Sequence, residues 1–470
     1  MRPDTKNFKR GAAKALGNER VQANLLGLYN GFHYARLAAA DGTPDWELMR
    51  EQARAIKTHT IDNLDYYLEL AASNVEKAGG TVFFAKDGDA AAGYVTDLAL
   101  ARGVKLVIKG KSMVSEEMSL NDRLTDAGIE PVETDLGEYI IQLAGETPFH
   151  IIAPAIHKSR EEVTDLFEAK LNSPRYEEIT ELAAEARRQL RDKFIRADMG
   201  ITGANFIVAE TGTVALVTNE GNGRMCTSMP RIHVAITGME KIIPSMDDLG
   251  MFLRLLIRSA TGQRISSYVT TVTGPRHADD EDGPDEFHLV IVDNGRSRLL
   301  ADPEMRESLN CIRCGACLNA CPVYRKVGGH AYGWVYPGPI GAIISPVMTN
   351  LSDAKDLPFA SSLCGACREA CPVKINIPRM LLHLRKEVTE GRKYPSERNR
   401  SRFEALAMRL WRLSLSSPAA LSIANKAARL LQKPLLKNGR IRWLPPPLSG
   451  WTRSRTFPAI VRPFRERWRE

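Results

Sequence analysis

Cys311-Ile-Arg-Cys314-Gly-Ala-Cys317-Leu-Asn-Ala-Cys321-Pro322 is a full C-x2-C-x2-C-x3-C-P run, and its reading decides the second half of the chain. A second run, Cys364-Gly-Ala-Cys367-Arg-Glu-Ala-Cys371-Pro372, repeats the last three cysteines and has Ser361 where the first would stand. Three thiolates on one tight loop can cap three irons of a cubane cluster. The fourth ligand must come from elsewhere, and in two-cluster ferredoxins it is the proline-flanked cysteine of the other run. Applied here, one [4Fe-4S] cluster takes Cys311, Cys314, Cys317 and Cys371, and a second takes Cys321, Cys364 and Cys367, one thiolate short. A Ser361 oxygen, water, a partner residue, a substrate or a three-iron form would each meet that deficit. Gly315-Ala316 and Gly365-Ala366 leave room for backbone N–H groups to approach the sulfides, which tunes such clusters. The competing reading is structural zinc, normally held by paired C-x2-C knuckles, and the twin proline-terminated runs speak against it. The 43 positions from Cys321 to Cys364 include the Gly- and aromatic-rich segment Gly328 to Gly341. A helical domain is expected, with a helix from Pro378 to Val388 behind the second run and two clusters close enough for electron transfer between them.

Toward the N-terminus the texture is different. The run Glu47 to Asn74 lacks Pro and Gly and repeats apolar residues at helical spacing (Ile61, Leu64, Leu68), so residues 1–70 read as a helical lead-in. From Gly79-Gly80 short apolar runs alternate with amphipathic ones. Strands are expected at Thr81–Ala85, Lys105–Ile108, Pro131–Glu133 and Phe149–Ala153, and helices at Ala90–Ala101, Ser115–Ala127, Leu136–Leu143 and Arg160–Leu171, the last opened by a Ser159/Glu162 capping box. Such a βαβ rhythm predicts an α/β domain with a mostly parallel sheet over 71–298. Asn205–Ala209 and Thr213–Thr218 read as a hairpin with a Gly-rich mouth at Glu220-Gly221-Asn222-Gly223. A strand at His233–Thr237, a helix at Met246–Thr261 and a last strand at His288–Asp293 close that domain. The cysteine domain then occupies 299–390, and a basic C-terminal region 391–470.

The 470 residues suffice for several domains, and mean hydropathy of −0.24 excludes a polytopic membrane protein. The net charge of +8 is local: residues 391–470 carry 19 basic and 4 acidic side chains, leaving −7 for the rest. A general nucleic-acid binder is therefore not expected. No apolar run approaches the roughly 18 residues of a membrane span, and seven of eight cysteines crowd into 311–371, so a reducing, cytoplasmic setting is expected. Phe403, Leu406, Leu410 and Leu413, with Arg402, Arg409 and Arg412 nearby, predict an amphipathic helix suited to an acidic partner or an anionic membrane face.

Other signals are weaker. Lys109-Gly110-Lys111-Ser112 follows a strand but lacks the first glycine of a phosphate-binding loop, since position 105 is Lys105. His150 and His157 flank a run where α/β sheets take ligands, although core or surface histidines are the commoner case. Cys226 reads as a small buried hydrophobe. An iron–sulfur oxidoreductase with its own small-acid or acyl site in the α/β domain, using Glu210 or Glu220 beside the hairpin, is the alternative to a pure electron carrier.

LNCIRCGACLNACPVYRKVGGHAYGWVYPGPIGAI (309–343), GITGANFIVAETGTVALVTNEGN (200–222) and VIKGKSMVSEEMSLN (107–121) closely resemble the iron–sulfur protein family of the bacterial lactate-utilisation system, an L-lactate oxidation complex, over nearly the whole chain. The resemblance implies an N-terminal lactate-utilisation domain similar to the sugar-phosphate isomerase and coenzyme A transferase folds, an α-helical ferredoxin domain with two four-iron clusters, and a basic C-terminal domain. It further implies a cysteine-rich partner subunit, a smaller partner of the same α/β domain type, and a shared role in oxidising L-lactate to pyruvate, with this chain carrying electrons. It places the cluster ligands on the seven cysteines named above and makes the absent eighth thiolate a family trait. Lactate rests on this resemblance alone.

Overall fold

The computed structural model describes residues 3–110, 112–391, 394, 402–445, 448–452 and 455–468. The chain falls into two compact units, Met1–Glu397 and Arg398–Glu470.

The first unit opens with helices Phe8–Leu16, Glu19–Leu28, Tyr34–Asp41, Trp46–Asp62 and Leu64–Lys77. The Pro- and Gly-free run 47–74 is helical but breaks at Asn63, whose Nδ2 donates to the His59 carbonyl (2.8 Å) as its backbone leaves helical geometry. A short amide side chain competes with the helical ladder in this way.

Ten strands follow: β1 (Thr81–Ala85), β2 (Leu106–Gly110), β3 (Glu130–Glu133), β4 (Met199–Thr202), β5 (Phe206–Val208), β6 (Thr213–Thr218), β7 (Ile232–Gly238), β8 (Ile242–Ile243), β9 (Tyr268–Val272) and β10 (Glu286–Val292). Six make an all-parallel sheet in the order β1-β10-β7-β4-β2-β3, with Thr81 opposite His288, Val107 opposite Met199 and Leu106 opposite Glu130. β2, β4 and β7 are buried along their whole length, as helix cover on both faces of a parallel sheet requires. From β2 the chain crosses outward to β3, whereas from β4 it crosses the other way to β7. The carboxyl ends of β2 and β4 therefore frame the crevice at which open α/β sheets take ligands. The smaller sheet, β8-β5-β6-β9, holds the expected hairpin, with Phe206 opposite Ala215.

Three expectations are corrected. Phe149–Ala153 is a chain of bends and turns rather than a strand: Phe149 N–H donates to the Pro154 carbonyl (2.9 Å), and His150 Nδ1 accepts from Ile152 N–H (3.1 Å). The helix over Ser115–Ala127 splits into Met113–Glu117 and Leu120–Asp126 at Ser119, which is left-handed (φ 53°). The Gly-rich mouth is the start of a helix, Asn222–Ser228. Unforeseen are the helix Ile179–Arg196 and strands β4 and β9. β4 escapes a sequence reading because it holds Gly200, yet glycine is obligatory there: a Cβ would lie 1.9 Å from the Cys226 carbonyl.

The cysteine region is helical as expected. Short helices Ala316–Ala320 and Ala366–Ala370 carry the two runs, and Gly338–Met348, buried throughout, and Ile377–Glu390 pack around them. In the second unit, helices Arg402–Ser414 and Pro418–Leu431 precede a small antiparallel sheet, Leu436–Lys437, Arg440–Ile441 and Phe457–Pro458, whose first turn is Asn438-Gly439, both at positive φ.

Candidate iron–sulfur centre and adjoining cavity

The runs fold as they do because Gly315 and Gly365 take left-handed backbone (φ 75° and 85°) and turn the chain into a one-turn helix after the first ligands of each run. Cys311, Cys314, Cys317 and Cys371 together line a small cavity whose other walls are mainly apolar, among them Ile151, Ile312, Ile340 and Ile375. Three thiols of the first run and the last of the second thus converge. Burial, then the neighbouring Cys371, pushes the Cys314 thiol up to about 12, and burial pushes Cys371 up to about 11. The remaining three form a second group: Cys367 is pushed up to about 12 by burial, then by Cys321, and Cys321 in turn senses Cys364. Cys317 senses Cys311, Cys314, Cys371 and also Cys367, so the two groups adjoin.

Thiols crowded in an apolar pocket resist ionisation unless a cationic centre compensates, which is the donor chemistry of a metal cage. Sulfur acceptors are already met by backbone donors: Arg313 N–H to Cys311 Sγ, Tyr324 N–H to Cys321 Sγ and Ile375 N–H to Cys371 Sγ, each at 3.4 Å. Among the described residues no three His, Cys, Asp or Glu side chains converge as a single bound ion requires. Four thiols lining one small cavity, three from one run and one from the other, are the donor set that a cubane cluster uses. The residues present fit the inferred clusters. Ser361 Oγ accepts Leu363 N–H at 3.1 Å, and Cys364 is exposed, so the second group is open to solvent at one ligand.

Against the first thiol cavity lies a larger one, of about 180 Å³. Ile151, Arg313 and Cys314 belong to the walls of both. Its lining includes the carboxyl ends of β2, β4 and β7 (Gly110, Gly203, Thr237) and the hairpin (Asn205, Thr218). This is the crevice that the strand order singles out. Neither Glu210 nor Glu220 reaches it: Glu210 Oε2 accepts Met246 N–H (3.1 Å) and Glu220 Oε2 accepts Leu136 N–H (3.4 Å), each at the start of a helix. The cavity lies beside the hairpin that the sequence singles out, and Glu210 and Glu220 are not in its lining.

Around the cavity runs a buried ionic network. Glu240 bonds Arg296 Nε (2.6 Å) and Arg313 Nη2 (3.2 Å), and those cations hold its carboxyl well below the usual carboxylate range. Arg313 lies over the Tyr336 ring, 4.4 Å from its centroid. Lys57 Nζ donates to the Glu240 and Ile242 carbonyls (2.5 and 3.0 Å). Apart from Arg313, which lies within the first cysteine run, these residues belong to no motif, and only the fold brings them together.

The remaining candidates are structural. Lys109 is enclosed by Glu133 and Asn121 (2.6 Å each) and Glu116 (3.3 Å), not free for a phosphate; Lys111 lies outside the described residues. His150 Nε2 meets Asn319 Oδ1 (3.0 Å), and burial takes its pKa down to about 4. His157 pairs with Glu146 (2.7 Å). Cys226 is buried, 3.5 Å from Thr134 Oγ1, with its thiol pushed up to about 12. Phe403, Leu406, Leu410 and Leu413 are exposed. No helix of the described residues is long and apolar enough to cross a membrane.

Residues 68–292 match the LUD domain family, 307–375 the 4Fe-4S dicluster domain, and 383–470 the C-terminal domain of lactate utilisation protein B. Lactate utilization protein B of Bacillus licheniformis is 46% identical to this chain over 473 residues, covering 100% of this chain and 97% of its own. The chain belongs to the lactate utilization protein B family. Other relatives of that name are those of Shouchella clausii (48% over 427 residues, 91% and 88% covered) and Bacillus subtilis (45% over 473, 100% and 96%). A solved DUF162 family protein of Deinococcus radiodurans aligns with 49% of this chain and 98% of its own at 14% identity and a TM-score of 0.26, too slight a likeness to argue from. Family membership accounts for the order of parts: an α/β domain of the LUD type with its parallel sheet, then an iron–sulfur domain.

Proposed function

We propose that this chain is the iron–sulfur electron-transfer component of a multi-subunit system that oxidises L-lactate to pyruvate. The relatives' name supplies lactate. The observation that carries the electron-transfer reading is the cavity lined by Cys311, Cys314 and Cys317 of one run and Cys371 of the other. In this reading Cys311, Cys314, Cys317 and Cys371 hold one [4Fe-4S] cluster and Cys321, Cys364 and Cys367 a second. Bound clusters of this kind supply one-electron transfer. Lactate gives up two electrons and two protons in becoming pyruvate, so two adjoining one-electron sites suit its traffic. The second group, one protein thiol short and with Cys364 exposed, would be the point of electron exchange with a cysteine-rich partner subunit and a smaller partner of the LUD type. The basic second unit, with its exposed Phe403 and Leu410, offers a peripheral contact to an anionic membrane face.

The test is anaerobic purification with iron and acid-labile sulfide counting and electron paramagnetic resonance. Iron and sulfide sufficient for two clusters are expected. Cys371→Ser is expected to remove the signal of the cluster on the first run, and Cys321→Ser that of the cluster at Cys364 and Cys367. Colourless protein holding only zinc refutes the reading, and Cys371→Ser disturbing only the second centre refutes the crosswise sharing.

A further inference from the structure

Lys57, Lys109 and Lys241 are buried lysines around the parallel sheet, and two of them have their acceptors within the protein: Lys57 has two carbonyls and Lys109 three side-chain oxygens. Lys241 is different. It is 7% exposed, lines the larger cavity, and its ammonium has no hydrogen-bond or ion-pair partner among the described residues. A second cation beside it is half used. Arg313 gives Nη2 to Glu240 and its flat face to Tyr336, while Nη1 is buried without a partner. Thr237, 1% exposed and also in the lining, has an unpartnered Oγ1.

Three polar groups with unmet bonding, two of them cationic, therefore line one cavity. Leaving buried N–H donors without acceptors is costly, and an anion with several acceptor oxygens removes the cost. Apolar side chains in the lining, among them Val114, Ile236, Leu256 and Ile257, suit a short carbon skeleton, and they stand beside polar ones that include Asn205, Thr218, Glu240 and Gln263. About 180 Å³ is small beside the roughly 300–1,000 Å³ of most ligand pockets, which excludes a dinucleotide and favours a compound of a few heavy atoms. Glu138 also lines the space, its Oε2 buried without a partner; burial, then Glu133, raises its carboxyl well above the usual range, which lessens its repulsion of an anion. Arg313 itself stands in left-handed backbone (φ 59°), a strained geometry that concentrates at functional sites.

We propose that the cavity at the carboxyl ends of β2, β4 and β7 binds a small organic carboxylate, its oxygens held by Lys241 Nζ, the free Nη1 edge of Arg313 and Thr237 Oγ1, with Cys314 in the shared wall. The competing assignment is that Lys241 and Arg313 only offset the negative charge of the thiolate cage. Lys241 and Thr237 are absent from the walls of the thiol cavity and present in those of the larger one, which favours a ligand in the latter.

Pyruvate and L-lactate serve as probes, a choice that rests on the lactate reading above, with lactamide as the uncharged control. Titration calorimetry on the full-length, anaerobically prepared protein is expected to show binding of at least one acid and none of lactamide. Lys241→Met is expected to weaken the acid at least tenfold, since a charge-assisted hydrogen bond is lost, with Lys241→Arg restoring most of it and iron and sulfide unchanged. No binding of either acid to the iron-loaded protein overturns the site. So does Lys241→Met binding as tightly as the parent, even with a shifted cluster potential. Should Lys241→Met fail to fold, Thr237→Val decides: threefold or greater loss supports the site and unchanged affinity overturns it. Iron, sulfide and paramagnetic signals are read separately, so the electron-transfer reading and the carboxylate site fail independently.

Discussion

Arg296 has no exposed side-chain surface, and every edge of its guanidinium is used. Nη1 and Nη2 grip Glu117 (2.9 Å each), Nε meets Glu240 (2.6 Å), and Tyr336 O–H closes the ring by donating to Glu117 at 2.5 Å. Glu117 and Glu240 come from the α/β domain and Tyr336 from the segment between the cysteine runs, so one residue staples the two together. A buried pair of this kind adds little net stability when intact, but removing one partner strands charge in a medium that cannot solvate it. Arg296→Met is accordingly expected to destabilise the protein by about 3–5 kcal/mol, read as a lower urea midpoint. A loss under about 1 kcal/mol would mean that water reaches the site. None of this is legible in the sequence, where Arg296 is one of 64 basic side chains: a guanidinium's partners are set by tertiary placement.

At the scale of elements, the two ligand-bearing turns are near-copies that differ in their surroundings. Gly315 and Gly365 share positive φ, and an L-residue there costs about 1–2 kcal/mol. A Cβ on Gly365 meets nothing within 4 Å, whereas one on Gly315 would lie 2.6 Å from Ile152 Cδ1. Gly365→Ala should therefore lower stability by about 1–2 kcal/mol, and Gly315→Ala by about 1–3 kcal/mol more through overpacking, measured by thermal unfolding. Equal losses would contradict the packing of Ile152 on the first run. The turns were readable because ligand spacing and glycine are local signals. Phe149–Ala153 misled for the opposite reason: its apolar residues report burial, but Phe149 and His150 are buried and Ile151 to Ala153 half-buried as bends, with Ile151 in the wall of two cavities, rather than as a strand. β9 and β4 were missed because one is a half-exposed strand of the small sheet and the other is punctuated by glycine.

For the first unit as a whole, the N-terminal helices support the cluster domain directly. Arg50, on the helix Trp46–Asp62, donates Nε and Nη2 to the Cys371 carbonyl (3.1 and 2.8 Å) and Nη2 to the Glu369 carbonyl (2.8 Å), satisfying the end of the helix that carries Cys367 and Cys371. Unpaired buried carbonyls cost about 1–3 kcal/mol each, so Arg50→Met should lower the urea midpoint and the iron retained after anaerobic gel filtration. Full iron retention with an unchanged midpoint would show the contact to be dispensable. The sequence alone determined the candidate ligands, the order of domains and the parallel sheet, because cysteine spacing, glycine turns and hydrophobic period are short-range properties that survive without a partner segment. Only the tertiary structure decided that four thiols of two distant runs share one cavity, that the strand-end crevice abuts it, and that Lys241 and Arg313 stand unsatisfied in its wall. Those are matters of which buried groups find partners, and burial is settled by long-range packing.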